Sequence, residues 1–182
     1  MIPGVVLAAG SGRRMGGPKA LLRLDGETLL QRAVRLLDEA GCRPVFAVIG
    51  DWDPGEVEAF LVPNSQAAEG MASSIRAGVR ALPKTAPAAL FVAVDQPAVD
   101  AALLQRLLAL AAAEPGRPAA CGYGETLGIP AVVPRRLFAE LLTLRGDRGA
   151  KAVLLREQAL VLPFPEGIAD LDTPTDLARL RR

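Results

Sequence analysis

The sequence predicts an α/β fold in which a mostly parallel sheet carries helices on both of its faces. Apolar runs typical of buried strands alternate with amphipathic stretches over at least residues 1–113, which is the pattern of parallel sheets with crossover helices. At 182 residues the chain is long enough to bury one normal core, and its sequence contains neither an internal repeat nor an interdomain linker. We therefore expect one domain.

The first half of the chain supplies the clearest elements. Residues 5–9 and 44–49 are continuous apolar runs and predict two buried strands. Between them, apolar residues at helical spacing in residues 29–37 predict a crossover helix. Residues 54–60 predict a short helix, with Asp53 as its cap and Pro54 at its first position.

The centre of the chain repeats the same alternation. Residues 64–70 are small and polar and predict a loop, and an apolar stripe in residues 71–82 predicts the next helix. Residues 89–94 give the strongest strand signal. Asp100 is then expected to cap a helix over residues 101–113.

After residue 113 the alternation loosens. Residues 118–122 and 126–133 predict two extended pieces, and residues 159–162 predict a short strand. Helices are expected over residues 134–142 and after Asp147. Thr173, Pro174 and Asp176 have the form of a capping box that opens a last helix.

A cationic, glycine-rich loop follows the first predicted strand. Residues 10–17 contain four glycines, and Arg13, Arg14 and Lys19 add positive charge without a neighbouring carboxylate. Glycines allow backbone N–H groups to approach a ligand closely, and the cations neutralise negative charge. The loop therefore predicts a cradle for a polyphosphate.

Three other interpretations of this loop fit less well. A dinucleotide fingerprint requires G-x-G-x-x-G opening into a helix, but the spacing here is Gly10-x-Gly12-x-x-x-Gly16 and Pro18 interrupts the helix. A Walker loop requires lysine where this chain has Pro18. A surface turn with solvated arginines remains open, because loops are commonly polar and rich in glycine.

Composition excludes several classes of function. A net charge of +1 argues against general binding to nucleic acid or to a membrane surface, and the sequence has no apolar run long enough to span a bilayer. Cys42 and Cys121 are too few for a disulfide framework or a zinc site, and no signal peptide precedes the first strand, so we expect a cytoplasmic protein. The absence of histidine excludes catalytic triads and imidazole bases.

Carboxylates are the remaining candidates for the chemistry. In parallel sheets ligands bind at the carboxyl ends of the strands, which places the glycine-rich loop and Asp95 at one edge. Asp95 is either a turn cap or a ligand for Mg²⁺, a hard cation that one or two carboxylates and substrate phosphates can hold. Asp172 is the candidate for a second carboxylate ligand, against the alternative of a plain loop acid.

Two further groups of polar residues are ambiguous. Asn64, Ser73 and Ser74 lie near the predicted start of a helix, where they would either cap the helix or help to hold a ligand. Residues 145–151 form a second cationic loop punctuated by glycines. This loop would either clamp a second anionic substrate or lead into a helix as a solvated segment.

Taken together, these motifs resemble the nucleotidyltransferases related to molybdenum cofactor cytidylyltransferase, which are MobA-like NTP transferases. The matching stretches are residues 7–19, residues 64–74 with a Glu-Gly-Met-x-Ser-Ser core, Asp95-Gln96-Pro97, residues 145–150, and residues 172–176. They follow the family's order and span nearly the whole chain. The resemblance implies a Rossmann-like three-layer α/β/α sandwich and a single nucleotidyltransferase domain over residues 1–182.

The resemblance also implies a role for each candidate site residue. The base and ribose would be lined by Leu7, Ala8 and Ala9, and the triphosphate would be held by Gly10, Gly12, Arg13 and Lys19. Asn64, Ser73 and Ser74 would shape the nucleotide pocket, Asp95 and Asp172 would bind Mg²⁺, and Asp147 and Lys151 would bind the acceptor. Arg13, Lys19 and Asp95 would be the catalytic residues.

The reaction implied is transfer of CMP from CTP to the phosphate of molybdopterin, with release of pyrophosphate. Ala9 and Pro18 indicate the cytidylyl branch, because related guanylyltransferases have Gly and Asp there. The chain departs from the family at Ile129, where His is common, and at Lys151, where Arg is common, so the acceptor is the least constrained part of the prediction. A molybdoenzyme or its chaperone would receive the product, and no nucleic acid or membrane partner is expected.

Four alternatives remain open at the level of sequence. In the first, the donor is GTP instead of CTP. In the second, the acceptor is a sugar or polyol phosphate. In another class of function, the chain would bind a nucleotide as an accessory or regulatory protein without turnover. The last alternative is an oxidoreductase that uses a dinucleotide.

Overall fold

The computed structural model describes residues 1–12, 16–168, 171 and 176. Within them, seven strands form one sheet in the order β5-β4-β1-β6-β8-β7-β9, and two short strands form a separate hairpin. The strands are β1 Gly4–Leu7, β2 Arg23–Leu24, β3 Glu27–Thr28, β4 Val45–Ile49, β5 Phe60–Pro63, β6 Ala88–Ala93, β7 Ala119–Tyr123, β8 Thr126–Pro134 and β9 Leu160–Pro163. The α-helices are α1 Leu29–Glu39, α2 Met71–Ala81, α3 Ala101–Ala113, α4 Phe138–Leu141 and α5 Lys151–Arg156.

The sheet is mostly parallel, as predicted. Strands β5, β4, β1 and β6 pair in parallel, and β7 pairs in parallel with β9. Strand β8 runs antiparallel to both of its neighbours, β6 and β7. The carboxyl ends of β1, β4, β5 and β6 therefore lie along the same edge of the sheet.

Helices cover both faces of the sheet, because side chains of successive strand residues point to opposite faces. In β1, Val6 packs in a core with residues of α1 and α3. Its neighbours Val5 and Leu7 pack in a second core with residues of α2, α4 and α5. This arrangement confirms the Rossmann-like three-layer sandwich.

Side-chain caps fix where two of the helices begin. Thr28 and Gln31 form a capping box at the start of α1, in which the Thr28 hydroxyl accepts the Gln31 N–H at 3.1 Å. Asp100 accepts the Leu103 N–H at 2.7 Å and caps α3, as the sequence predicted. No helix within the described part of the chain is long and apolar enough to span a membrane.

The helix predicted for residues 54–60 is wrong. Asp53 accepts the Gly55 N–H at 2.9 Å, which makes a local turn instead of a helix cap. Phe60 begins strand β5, which pairs in parallel with β4. Residues 60–63 gain more stability from backbone pairing with the buried strand β4 than an isolated helical turn would give them. The capping box predicted around Thr173 lies outside the described residues, except for Asp176.

Candidate active site

The loop after β1 folds back on itself at Gly12. Gly12 has φ +55°, and a Cβ there would lie 1.9 Å from the carbonyl oxygen of Gly17. The Gly17 N–H donates to the Gly12 carbonyl at 3.3 Å and closes the loop. Only glycine fits this position, because the backbone of the loop passes close to it. The approach of the loop N–H groups to a phosphate stays a prediction. Arg13, expected to hold phosphates, lies outside the described residues.

A cavity of about 540 Å³ opens beside this loop, at the carboxyl edge of the sheet. Its volume is in the range of small-molecule sites. It is lined by Leu7, Ala8, Ala9, Gly10, Ser11, Gly12, Lys19, Ala67, Ala68, Gly70, Met71, Ser74, Ala93, Val94, Asp95 and Asp147. We call it the loop cavity. Most residues expected to bind the nucleotide therefore share one cavity.

A cation and a carboxylate meet in the loop cavity. The Lys19 ammonium lies 3.1 Å from Asp95 Oδ2, and the two side chains are 19% and 28% exposed. Lys19 begins a short 3-10 helix after Pro18, and Asp95 lies just beyond the end of β6. The Leu171 N–H donates to the Asp95 carbonyl at 2.9 Å. Asp172, the expected second carboxylate, lies outside the described residues.

The described residues suit a metal ion that arrives with phosphates. Among them there is no group of three or more His, Cys, Asp or Glu that could hold a metal. Asp95 nevertheless offers hard carboxylate oxygens next to the loop that the sequence predicts to bind phosphates. Mg²⁺ is commonly held by one or two carboxylates together with substrate phosphates, so this donor set fits it.

Asn64 and Ser73 lie behind the wall of the loop cavity. The Asn64 amide donates to the hydroxyl oxygens of Ser73 at 2.9 Å and Ser74 at 3.1 Å, and the Ser73 hydroxyl donates to the Gly70 carbonyl at 2.8 Å. Of the three residues predicted here, only Ser74 lines the cavity. Asn64 and Ser73 instead hold Ser74 and the start of α2 in place.

Below this wall, Glu69 and Arg76 form an ion pair. The two terminal guanidinium nitrogens of Arg76 donate to the Glu69 carboxylate, at 2.5 and 2.8 Å. Arg76 is only 4% exposed. These bonds, together with the Gly146 N–H, lower the pKa of Glu69 to about 2. The carboxylate in turn raises the pKa of Arg76. The pair is therefore charged at every pH at which the protein would work.

A second cavity of about 280 Å³ adjoins the first, and we call it the β8 cavity. Met71, Ala93 and Asp95 line both cavities. The other lining residues of the β8 cavity are Ile75, Gln96, Tyr123, Thr126, Leu127, Gly128, Ile129, Gly149, Ala150, Lys151 and Leu154. Asp95 therefore lies where the two cavities meet.

The two residues expected to bind an acceptor are separated. Lys151, at the start of α5, lines the β8 cavity, whereas Asp147 lines the loop cavity. Asp147 lies close to Gly70, where a Cβ would be 2.2 Å from Asp147 Oδ1. Ile129, which departs from the family pattern, lines the β8 cavity together with Lys151.

Comparison with known proteins agrees with this geometry. Residues 4–160 match the family described as the MobA-like NTP transferase domain. The chain belongs to this family. The MobA-like NTP transferases are nucleotidyltransferases.

Relatives within the family carry two kinds of name. The chain is 36% identical to a probable molybdenum cofactor guanylyltransferase of Opitutus terrae, over 100% of this chain and 95% of the relative. It is 33% identical to the molybdenum cofactor guanylyltransferase of Rhodobacter capsulatus, over 98% and 94%. It is also 34% identical to nicotine blue oxidoreductase of Paenarthrobacter nicotinovorans, over 88% and 84%.

A solved structure is similar over nearly the whole chain. The crystal structure of Rv0371c from Mycobacterium tuberculosis H37Rv matches with a TM-score of 0.80 at 27% identity, covering 99% of this chain and 97% of that one. A structure of Rv0371c in complex with manganese matches with a TM-score of 0.76 at 26% identity and the same coverage.

The expectation that a MobA-like transferase with Ala9 and Pro18 uses CTP is not supported, because the transferases among these relatives are named guanylyltransferases. Bases differ in the hydrogen-bond donors and acceptors on their edges, and discrimination between them needs polar groups. The side chains of Ala9 and Pro18 have no such group. They are therefore a weak physical basis for choosing the base.

Several lining residues of the loop cavity were not identified from the sequence as site residues. Ala67 and Ala68 carry no chemical signature. They lie in the predicted loop over residues 64–70, which follows β5, a strand that was not predicted. Recognising residues 60–63 as a strand parallel to β4 would have placed the following loop at the ligand-binding edge. Cys42 and Cys121 line neither cavity, and burial raises the pKa of each thiol to about 12.

Proposed function

We propose that the chain transfers GMP from GTP to the phosphate of molybdopterin and releases pyrophosphate, with a divalent metal ion as cofactor. The observation that carries this proposal is the Lys19–Asp95 pair at the junction of two cavities, one of which is built from a phosphate-type loop. The names of the guanylyltransferase relatives favour GTP as donor and molybdopterin as acceptor. We propose that residues 1–182 act as one nucleotidyltransferase domain.

The nucleotide would lie in the loop cavity. Backbone N–H groups of the loop and the Lys19 ammonium would bind the triphosphate, and Arg13 would add a second cation. Leu7, Ala8 and Ala9 would pack against the base and ribose, with Ser74 on the opposite wall. The exposed Asp147 carboxylate would also face the nucleotide, in place of the acceptor role that the family resemblance implied.

Asp95, with Asp172 as the second candidate, would hold Mg²⁺. When bound, the ion would neutralise charge on the phosphates of the nucleotide and of the leaving pyrophosphate. Lys19 lies beside Asp95 and would stabilise the same developing charge. The metal ion and Lys19 would thus place positive charge where negative charge develops on the leaving pyrophosphate.

The acceptor would occupy the β8 cavity with its phosphate towards Asp95. One of its phosphate oxygens attacks the α-phosphorus, a new P–O bond forms, and the bond from the α-phosphorus to the bridging oxygen breaks to release pyrophosphate. A phosphate oxygen is already ionised at neutral pH, so the reaction needs no histidine base. We propose Lys151 as the cation that binds the acceptor phosphate.

The names of the relatives favour molybdopterin over a sugar or polyol phosphate, and the apolar part of the β8 cavity is compatible with its ring system. Gln96, Tyr123, Thr126 and Lys151 add polar groups to this cavity, whereas Leu127, Ile129 and Leu154 form an apolar part of its wall. A hydroxyl that is buried without a partner is costly. An acceptor with a planar ring system would bury its body against these side chains at lower cost.

One experiment separates this proposal from its rivals. The purified chain is incubated with each nucleoside triphosphate, Mg²⁺ or Mn²⁺, and either molybdopterin, a sugar phosphate, a polyol phosphate or no acceptor, and pyrophosphate is measured. We expect release only with GTP and molybdopterin. Pyrophosphate release with CTP would contradict the assignment of GTP as the donor. Nucleotide binding without pyrophosphate release would favour an accessory protein.

The oxidoreductase among the relatives gives the assay a second arm. The same preparation is titrated with reduced nicotinamide dinucleotides while their fluorescence is followed. We expect no change in fluorescence, because the loop lacks the dinucleotide spacing. Saturable binding with oxidation of the nicotinamide would favour the oxidoreductase instead.

A further inference from the structure

The Glu69–Arg76 ion pair joins three separate segments of the chain. Glu69 ends the 3-10 helix Ala67–Glu69, and Arg76 lies within α2. Arg76 also donates to the Leu144 carbonyl at 2.6 Å, and the Gly146 N–H donates to the Glu69 carboxylate at 3.1 Å. The pair therefore fastens the loop before α5 to the segment that leads into α2.

The backbone around the pair closes the same connection. The Ala72 N–H, at the start of α2, donates to the Gly146 carbonyl at 3.1 Å. Gly70 has φ +118° and has no room for a Cβ, because Asp147 Oδ1 and the Gly146 carbonyl oxygen lie 2.2 and 2.7 Å from its ideal position. The segment that leads into α2 and the loop before α5 are thus in direct contact next to the ion pair.

Neither Glu69 nor Arg76 lines the loop cavity or the β8 cavity, yet the segments that they join form walls of both. Ala67, Ala68 and Asp147 line the loop cavity, and Gly149, Ala150 and Lys151 line the β8 cavity. Met71 lies between them and lines both, and a Cβ on Gly149 would be 3.2 Å from its sulfur. Met71 and the segments on either side of it thus form a partition between the two cavities. The Glu69–Arg76 pair supports this partition from outside both cavities.

We propose that Glu69 and Arg76 are a positioning pair that holds this partition so that the two substrates meet at reacting distance. The inference rests on the proposed function, because it assigns the two cavities to donor and acceptor. Transfer requires the attacking oxygen within about 3–3.5 Å of the phosphorus, and a displacement of about 1 Å can cost 10²-fold in rate. A bidentate guanidinium–carboxylate pair fixes both distance and angle, which a single-point contact does not.

The test compares variants of this pair with another bidentate arginine–carboxylate pair, which is more exposed to solvent. Arg76→Met and Glu69→Gln remove the charge pair, and Arg76→Lys keeps the charge without the planar fork. The control is Arg156→Met, because Arg156 binds the Glu140 carboxylate through two nitrogens and joins α4 to α5 without lining either cavity. For each variant, kcat, the KM for GTP and the thermal unfolding midpoint are measured at a temperature where all variants are folded.

We expect Arg76→Met to lower kcat about 10- to 100-fold, with Arg76→Lys between it and the wild type. Arg156→Met is expected to lower the unfolding midpoint while keeping the wild-type kcat. A wild-type kcat for folded Arg76→Met would overturn the positioning role, and if that variant does not fold, the kcat of Glu69→Gln decides in the same way. A wild-type chain that releases no pyrophosphate with any nucleotide would overturn the proposed function, and the inference with it.

Discussion

Lys19 and Asp95 are 76 positions apart in the sequence, yet their charged groups lie 3.1 Å apart in the loop cavity. Each was predicted separately, Lys19 from the cationic loop and Asp95 from its place after a buried strand. Their meeting follows from β1 and β6 being parallel neighbours, because parallel strands end at the same edge. The chemistry that we propose depends on this pair more than on the glycine-rich loop alone.

Replacing Lys19 by alanine removes a cation from the place where charge develops on the leaving pyrophosphate. We expect kcat/KM for GTP to fall by about 10²–10³-fold, or about 2.7–4 kcal/mol, as for loss of one oxyanion donor. Steady-state pyrophosphate release measures this. Lys151→Ala is the matched control, and it should raise the KM for the acceptor instead. Near-normal turnover by Lys19→Ala would remove Lys19 from the mechanism.

Replacing Asp95 by asparagine tests the metal site. We expect this variant to bind Mn²⁺ much more weakly in the presence of GTP, because a neutral amide is a poorer ligand for a hard cation than a carboxylate. Isothermal titration with Mn²⁺, with GTP present, measures the change without relying on turnover. An unchanged affinity for Mn²⁺ would show that Asp95 is not a ligand.

Glu69 gives stability a dependence on pH. Its pKa is about 2 in the folded protein, against an ordinary value of 4.5, so folding favours the ionised carboxylate. Its contribution is present above pH 4.5 and is lost as the pH falls towards 2. As the pH falls from 4.5 towards 2, we expect the thermal unfolding midpoint of Glu69→Gln to fall less steeply than that of the wild type. Identical slopes for Glu69→Gln and the wild type would contradict this prediction.

At the scale of elements, the sequence was most informative where local chemistry and periodicity agreed. Strand β6 and the helix capped by Asp100 were predicted because an apolar run and a capping residue each leave a local signal. Strand β5 was not, since its apolar residues become a strand through pairing with β4, a contact that periodicity does not encode. The loop over residues 64–70 was predicted, but without β5 its position at the ligand-binding edge was not, so Ala67 and Ala68 were not recognised as lining residues.

The contact between Gly70 and the Asp147 loop gives a prediction at this scale. Gly70→Ala should destabilise the protein by about 1–3 kcal/mol through backbone strain, and further through the clash with Asp147. Gly41→Ala is the control, because Gly41 also has a positive φ of +89° but a Cβ there would meet open space. Urea unfolding and kcat are measured for both variants. Equal stability and equal kcat for the two would show that the contact has no importance.

Across the whole molecule, both cavities open at one edge of a single sheet and share Asp95. The sequence predicted this edge and most lining residues of the loop cavity, because loops after parallel strands meet there. It did not predict that Asp147 and Lys151 would lie in different cavities, since their separation depends on how the loop before α5 packs on Gly70. The choice of base was inferred from two side chains without polar groups, and the relatives favour the other donor.

The fate of labelled phosphates shows whether an acceptor phosphate displaces pyrophosphate from GTP. The chain is incubated with Mg²⁺, molybdopterin and GTP labelled either at the α-phosphorus or at the γ-phosphorus, and the products are separated. We expect the α-label in the pterin product and the γ-label in pyrophosphate, in equal amounts, and neither product without molybdopterin. An α-label that remains in free nucleotide while γ-labelled inorganic phosphate accumulates would contradict the account.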